Sequence, residues 1–162
     1  MDFSTIESLE ENGFVGFQSI SELQDPLGCS AITSEPNVYL VVRANAMEPE
    51  FLATGTGGHY KGRNPNVPVE ELQAHWVPGA IVVYIGKATK LKKRIRQYVR
   101  FGQGQNGPHY DGRYIWQLSD SADLKVCWKS AAKVDPEAVE RELLDAFKAQ
   151  YGGKRPFANL TG

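Results

Sequence analysis

A cluster of basic side chains follows a tyrosine and a glycine in the middle of the chain, where residues 82–102 read VVYIGKATKLKKRIRQYVRFG. Positions 87–100 contain no acidic residue and seven basic ones: Lys87, Lys90, Lys92, Lys93, Arg94, Arg96 and Arg100. A guanidinium group binds two phosphate oxygens at once, and clustered positive charge attracts polyanions. The cluster therefore indicates a nucleic-acid partner. The simpler alternative is a solvated helix face, which also carries runs of charge.

The charge is distributed unevenly along the 162 residues, although the net charge is only −1. Positions 1–36 carry seven acidic residues and no Lys or Arg, whereas the rest of the chain carries 18 basic and 12 acidic residues. We interpret 1–36 as an acidic N-terminal extension, and one hypothesis is that it shields the basic face. The chain has the length of one domain and lacks a membrane-length apolar run or a signal-peptide core. We expect a cytoplasmic protein without a membrane partner.

The pattern of apolar and turn residues predicts a single α/β or α+β domain over 1–162. Strands are predicted at 37–43, 80–85, 113–118 and 123–129, and Gly86 marks the end of the second. Helices are predicted at 3–11, at 19–26, around 69–75, at 91–99 and from 136 to about 150, the last with Asp135 as its N-cap. The segment 44–79 is rich in glycine and proline, and we interpret it as a long structured insertion.

These pieces, in this order, resemble the GIY-YIG nuclease superfamily. Tyr84-Ile85-Gly86 matches the second signature tripeptide, and Arg94 lies ten residues after Tyr84, at the spacing of the family's catalytic arginine. The resemblance extends to four further features of the family: a lysine after the tripeptide (Lys87), a His or Tyr one turn after the arginine (Tyr98), a metal-binding glutamate (Glu140, with apolar Leu143, Leu144 and Phe147) and a closing asparagine (Asn159).

Two departures from the family pattern concern the first tripeptide. It reads Asn37-Val38-Tyr39, so its glycine is replaced and only Tyr39 is kept. Tyr39 and Tyr84 are 45 positions apart, whereas most relatives join these strands by a short connection. Some restriction-type relatives carry an insertion here. The resemblance implies a small antiparallel or mixed sheet flanked by helices, with 44–79 inserted between the two signature strands.

The resemblance also implies a role for each site residue. Tyr39 and Tyr84 would lie side by side at the reacting phosphate, with Lys87 lowering the pKa of a phenol that is ordinarily near 10. Arg94 would hold the phosphate oxygens, and Glu140 would bind one Mg²⁺ or Mn²⁺. Glu137 and Glu142 are the alternative metal ligands. Tyr98 and Asn159 have simpler alternatives, since Tyr98 continues an apolar stripe and Asn159 could end a turn.

The expected function is a Mg²⁺-dependent DNA endonuclease, of a restriction or phage-defence type, acting as a homodimer or with a protein partner. The DNA backbone would be contacted by eight basic residues of the insertion, the basic helix and the following loop: Lys61, Arg63, Lys90, Lys92, Lys93, Arg96, Arg100 and Arg113. The alternatives are a non-catalytic nucleic-acid-binding module, and a repair or mobile-element nuclease with the same fold. A pure binding module would need the basic helix but not Glu140.

Overall fold

The fold is a four-stranded sheet with helices on both faces, as described by a computed structural model for residues 1–107 and 109–160. The helices and strands in chain order are α1 (Ile6–Glu11), β1 (Val15–Ser19), α2 (Ile20–Gln24), β2 (Asn37–Val42), α3 (Val69–His75), β3 (Val82–Ala88), α4 (Leu91–Phe101), β4 (Lys125–Ser130) and α5 (Pro136–Gln150). Two 3₁₀ turns, Arg113–Gln117 and Ser121–Asp123, precede β4.

The sheet is antiparallel throughout, and its strand order is β1-β4-β2-β3. All six residues of β2 are buried, because β2 lies between β3 and β4 and is covered on both faces. β3 is an edge strand, and a bulge next to Tyr84 shifts its pairing with β2 between Val41 and Val42. A bulge redirects the side chains beside it. The two strands that carry Tyr39 and Tyr84 are therefore neighbours, as predicted.

Alternation along β2 divides the core into two layers. Tyr39 and Val41 belong to a cluster with α2, α3, α4 and the first 3₁₀ turn. Val38, Leu40 and Val42 belong to a second cluster on the opposite face, with α1 and α5. The sheet is therefore the middle of three layers, and α4 and α5 approach β3 from opposite faces.

Gly86 lies inside β3 and does not end it, contrary to our prediction. It pairs with Tyr39 of β2, and the strand continues to Ala88. A Cβ atom at position 86 would lie 2.5 Å from Cζ of Tyr39, a distance that real Cβ atoms essentially never show. Gly86 is required because the Tyr39 ring crosses its position.

The predicted strand at 113–118 is wrong. The sequence forms the first 3₁₀ turn instead, and Tyr114, Ile115, Trp116 and Gln117 are buried in succession. A short apolar run without alternation does not distinguish a strand from a helical turn. Trp116 packs on α4 through an edge contact with Tyr98.

The first 36 residues pack against the sheet. They contribute β1, which pairs with β4, and the apolar side chains of Phe3, Leu9 and Phe14 are buried in the second cluster. β1 was not predicted because glycine is unfavourable in strands, and Gly16, with φ of 99°, lies in its middle. Gly16 is needed there, since a Cβ would meet the Trp128 ring at 2.5 Å.

The 44–79 segment is ordered against the 3₁₀ turns and the sheet. Phe51 bridges to Leu118, and the Gln117 side chain donates hydrogen bonds to the carbonyls of Leu52 and Val67. α3 has the predicted bounds, and its Leu72 is buried in the first cluster. Among residues 1–107 and 109–160, no helix has both the length and the apolar character needed to cross a bilayer.

Candidate active site

An open cleft of about 830 Å³ lies beside β3, the edge strand. Side chains from three elements and one loop line it: Tyr84, Lys87 and Ala88 of β3, Lys93 and Arg94 of α4, Pro136, Glu137 and Glu140 of α5, Asp111, and the flanking Thr89, Lys90 and Asp135. Because α4 and α5 cover opposite faces of the sheet, only the edge of β3 lets residues from both helices meet. The cleft thus unites four of the predicted catalytic and metal-binding residues: Tyr84, Lys87, Arg94 and Glu140.

Arg94 is fixed in the cleft by Tyr39. Its Nε donates a hydrogen bond to the Tyr39 hydroxyl at 3.3 Å, and Tyr39 is fully buried. Burial alone would lower the pKa of Arg94, but the neighbouring Tyr39 raises it, so the guanidinium keeps its charge. Tyr39 does not line the cleft itself. Its position suits orienting Arg94 better than contacting a substrate.

Tyr84 and Tyr98 pack next to one another, with ring centroids 5.7 Å apart. Both side chains are buried, but Tyr84 lines the cleft, whereas Tyr98 donates a hydrogen bond to the carbonyl of Gly112 at 2.7 Å. Burial, followed by the nearby Tyr39 and Asp111, raises the pKa of Tyr84 well above 10. The Tyr84 phenol is therefore neutral at physiological pH. Tyr98 holds the 101–112 loop in place.

Lys87 lies in the cleft but contacts carboxylates. Its Nζ is 3.8 Å from Glu140 and 3.7 Å from Glu137, both on α5. We expected Lys87 to lower the pKa of a tyrosine, yet the pKa values of Tyr39 and Tyr84 are both raised by burial. The position of Lys87 suits balancing the charge of Glu140.

Glu140 is the most enclosed of the candidate metal ligands on α5. Its side chain is 22% exposed, against 61% for Glu137, while Glu142 is exposed and does not line the cleft. Burial raises the pKa of Glu140, Lys87 opposes this, and Asp111 raises it further. The α5 bounds and the Asp135 N-cap are as predicted, which places Glu140 on the helix side facing β3.

Asp111 is a cleft residue that sequence reasoning missed. Its Oδ2 accepts a hydrogen bond from the Tyr84 hydroxyl at 3.2 Å, and its Oδ1 accepts one from the backbone N–H of Leu160 at 3.2 Å. The only signal in the sequence was an acidic residue followed by a glycine in the loop GPHYDG. Gly112 has φ of 81°, which favours glycine and lets the chain turn after Asp111.

The donors in the cleft fit a hard divalent cation, which the resemblance implies. Glu140 and Asp111 are two of the four carboxylates that line the cleft, and the nearby Asp111 adds to the cost of charging Glu140. Within the described residues no three His, Cys, Asp or Glu side chains form a metal-binding group. Mg²⁺ commonly uses one or two carboxylates and completes its shell with waters and substrate phosphate. Glu140 would hold such an ion.

The predicted DNA-contacting residues fall on different faces. Lys90 and Lys93 line the cleft next to Arg94. Arg96 and Arg100 line a separate cavity of about 220 Å³ against α2. Lys92 precedes Arg96 by four positions and therefore lies on the same side of α4.

The other three basic residues lie outside α4 and do not line the cleft. Lys61 and Arg63 are exposed in the 44–79 segment. The Arg113 guanidinium packs on the Tyr110 ring at 3.7 Å and donates to the Tyr110 carbonyl. Tyr110 also donates to the carbonyl of Asn64, so the 44–79 and 101–112 segments are joined at this point.

Asn159 has a structural use. Its side chain accepts a hydrogen bond from the N–H of Ile85 and donates one to the carbonyl of Ile85, both at 2.9 Å. These two hydrogen bonds pair the backbone groups of Ile85 at the outer edge of β3, as a fifth strand would. Asn159 is buried and, in the described structure, is not among the cleft-lining residues.

Replacing Asn159 with alanine should lower the free energy of unfolding by about 2–4 kcal/mol, because it leaves two buried backbone groups of Ile85 unpaired. Urea unfolding followed by circular dichroism measures this. Asn45→Ala, at an exposed position, should cost less than about 1 kcal/mol. Equal unfolding midpoints for the two variants would contradict a structural role for Asn159.

Comparison with protein-family models, curated proteins and solved structures found no match to this chain. Membership of the GIY-YIG superfamily therefore stays a prediction.

Proposed function

We propose that this protein is a Mg²⁺-dependent DNA endonuclease that hydrolyses phosphodiester bonds. The observation that carries the proposal is the convergence of Tyr84, Arg94 and Glu140 on one cleft, although they lie on three different elements. Phosphodiester hydrolysis needs a positioned water, positive charge at the phosphoryl oxygens and a proton acceptor. The cleft offers a group suited to each need.

The cleft residues on which this proposal rests have separate tasks. Arg94, oriented by Tyr39, binds the phosphoryl oxygens and stabilises the charge that develops on them. Tyr84 positions the attacking water through its hydroxyl. Glu140 holds the Mg²⁺ ion, which supplies Lewis-acid stabilisation when bound. Lys90 and Lys93 attract the DNA backbone on the α4 side of the cleft.

The carboxylates argue against the alternative of a non-catalytic nucleic-acid-binding module. Glu140 and Asp111 face the cleft between the basic residues, and their negative charge repels a phosphate there. A binding surface gains nothing from this repulsion. A divalent cation held by Glu140 would offset this repulsion and supply the Lewis-acid stabilisation that phosphodiester hydrolysis needs.

The biological setting we propose is restriction or phage defence, rather than repair or mobile-element transfer. The 44–79 segment is joined to residues 101–107 by hydrogen bonds from the Gly58 N–H to the Phe101 carbonyl and from the Gly107 N–H to the His59 carbonyl. They present Lys61 and Arg63 at an exposed surface and form a ready platform for contacts to a DNA target. Such contacts would supply the target choice that a restriction enzyme needs.

The proposal is tested by incubating the protein with supercoiled plasmid, linear duplex, single-stranded DNA and branched DNA. We expect cleavage with Mg²⁺ or Mn²⁺, none with EDTA, and ends that DNA ligase rejoins directly, since the resemblance implies 5′-phosphate and 3′-hydroxyl products. Fluorescence anisotropy measures binding in parallel. Tight binding without cleavage on any substrate would instead establish the binding module.

A further inference from the structure

Asp111 and Tyr84 form a hydrogen-bonded pair at the cleft, for which no role has yet been assigned. The Tyr84 hydroxyl donates to Oδ2 of Asp111 at 3.2 Å, and both residues line the cleft. The phenol thus lies with its proton directed at a carboxylate. Because the Tyr84 hydroxyl donates its own proton to Asp111, the lone pairs of its oxygen remain free to accept a proton from another group.

We propose that Asp111 is the final acceptor of the proton that the attacking water loses, and that the Tyr84 hydroxyl relays it. This inference rests on the proposed nuclease function and names the proton acceptor of that reaction. In this proposal Tyr84 contacts the water. Asp111 does not contact the water, and it receives its proton through Tyr84.

The loop around Asp111 is held rigidly, as a proton relay requires. Oδ1 of Asp111 accepts from the N–H of Leu160, and the carbonyl of the next residue, Gly112, accepts from Tyr98. A Cβ at position 112 would lie 2.7 Å from the Tyr98 hydroxyl and 3.1 Å from the Tyr84 ring. Glycine at 112 therefore allows the loop to approach both tyrosines, and two anchors fix the carboxylate against Tyr84.

The other candidate proton acceptors at the site are less suitable. Tyr39 is buried and accepts a hydrogen bond from Arg94, and it does not line the cleft. Glu140 forms an ion pair with Lys87 and is the proposed metal ligand. Tyr84 on its own would have to ionise, which is unfavourable because burial raises the pKa of its phenol well above 10. A relay keeps Tyr84 neutral, because it loses one proton as it gains another.

The step balances without a further reagent. The water oxygen forms a bond to phosphorus, one water proton moves to the Tyr84 oxygen, and the Tyr84 proton moves to Oδ2 of Asp111. The bond from phosphorus to the leaving 3′ oxygen breaks, and that oxygen takes a proton from solvent. Asp111 then releases its proton to solvent, so that one water and one phosphodiester yield one phosphomonoester and one hydroxyl.

Asp111→Asn removes the carboxylate that would accept the proton but keeps the hydrogen bonds that hold this side chain. The asparagine carbonyl can still accept from Leu160, and its amide can donate to the Tyr84 oxygen, so both contacts survive with the polarity of the second reversed. We expect kcat to fall about 10²-fold or more, as for loss of a general base, with KM and the unfolding midpoint nearly unchanged. Tyr84→Phe should lose a similar factor, and the double variant should lose no more than either alone, because both substitutions interrupt one relay.

Asp135→Asn is the matched control, because Asp135 lines the same cleft and loses the same charge. Its side chain caps α5, and asparagine caps equally well, so activity should stay within about threefold of wild type.

Four outcomes would overturn the relay. Asp111→Asn cutting like wild type, or multiplicative losses in the double variant, would remove Asp111 from the path of the proton. Recovery of Asp111→Asn at high Mn²⁺, together with weaker Mn²⁺ binding by calorimetry, would make Asp111 a metal ligand. A wild-type protein that cuts no DNA would remove the proposed function and the relay together, whereas the first three outcomes leave the nuclease standing.

Discussion

Arg94→Lys is expected to lower the rate of DNA cleavage about 10²–10³-fold, as does loss of one transition-state donor in other enzymes. Lysine keeps the charge but lacks the planar fork that binds two phosphoryl oxygens. It also lacks the Nε that donates to Tyr39, so the charge is no longer held at a fixed position. DNA affinity, measured by anisotropy, should change little because the net charge is preserved.

Arg96→Lys provides the comparison for Arg94→Lys. It is the same substitution two positions along α4, at an exposed residue that lines the cavity against α2 and not the cleft. We expect cleavage within about threefold of wild type, since a solvated surface substitution that preserves charge has small effects. If both variants cut equally well, Arg94 is one more solvated cation and the catalytic assignment is wrong.

The reason for so large an effect lies in the burial of Tyr39. A hydroxyl in the core, paired with Arg94, cannot move to follow a shorter side chain. The space for the Tyr39 ring exists because position 86 is glycine. The sequence feature Tyr-Ile-Gly is thus connected physically to Arg94: the glycine admits Tyr39 of the neighbouring strand, and Tyr39 fixes the arginine. This differs from our expectation that Gly86 ends the strand.

Local patterns in the sequence predicted the elements that carry Tyr84, Arg94 and Glu140. The apolar stripe of α4 is buried as expected, and α5 begins at Pro136 with Asp135 as its cap. These features depend on neighbours within one or two helical turns, so a sequence reveals them. The same local pattern of apolar residues on α5 predicted that Glu140 and not Glu142 is the metal ligand.

The parts that could not be predicted depend on contacts between distant segments. Asp111 meets Tyr84 only because Gly112 turns the loop and Leu160 anchors it, and no periodicity encodes that meeting. Asn159 pairs with Ile85 across 74 positions. β1 contains Gly16, which is required because the Trp128 ring of β4 packs against it. In each case a tertiary contact decides the local conformation.

Glu140→Gln is expected to abolish Mg²⁺-dependent cleavage, with a loss of about 10³-fold, since a metal ion contributes several kcal/mol to transition-state stabilisation. Calorimetric titration with Mn²⁺ should show binding to wild type and none to the variant. Glu142→Gln, on the same helix at an exposed position outside the cleft, should bind Mn²⁺ and cut as wild type does. Normal metal binding by Glu140→Gln would show that another group holds the ion.

The same substitution should make the protein more stable in the absence of metal. Burial, with Asp111 and Glu137 nearby, raises the pKa of Glu140 above 4.5 despite Lys87. The folded state therefore holds a proton at Glu140 more tightly than the unfolded chain, and wild type loses this stabilisation as pH rises through the raised pKa. Glu140→Gln does not ionise, so its urea midpoint should exceed that of wild type at pH 7, and the difference should disappear in acid.

Adding Mg²⁺ should reverse that order, because an ion that binds only the folded state stabilises it by mass action. The wild-type midpoint should rise with Mg²⁺ concentration, whereas that of Glu140→Gln should stay constant. A variant that is less stable than wild type at pH 7 in EDTA would contradict this account, since it would mean that the ion pair with Lys87 outweighs the cost of burying the carboxylate. Opposite effects of Glu140→Gln with EDTA and with Mg²⁺ would therefore support Glu140 as the proposed metal ligand.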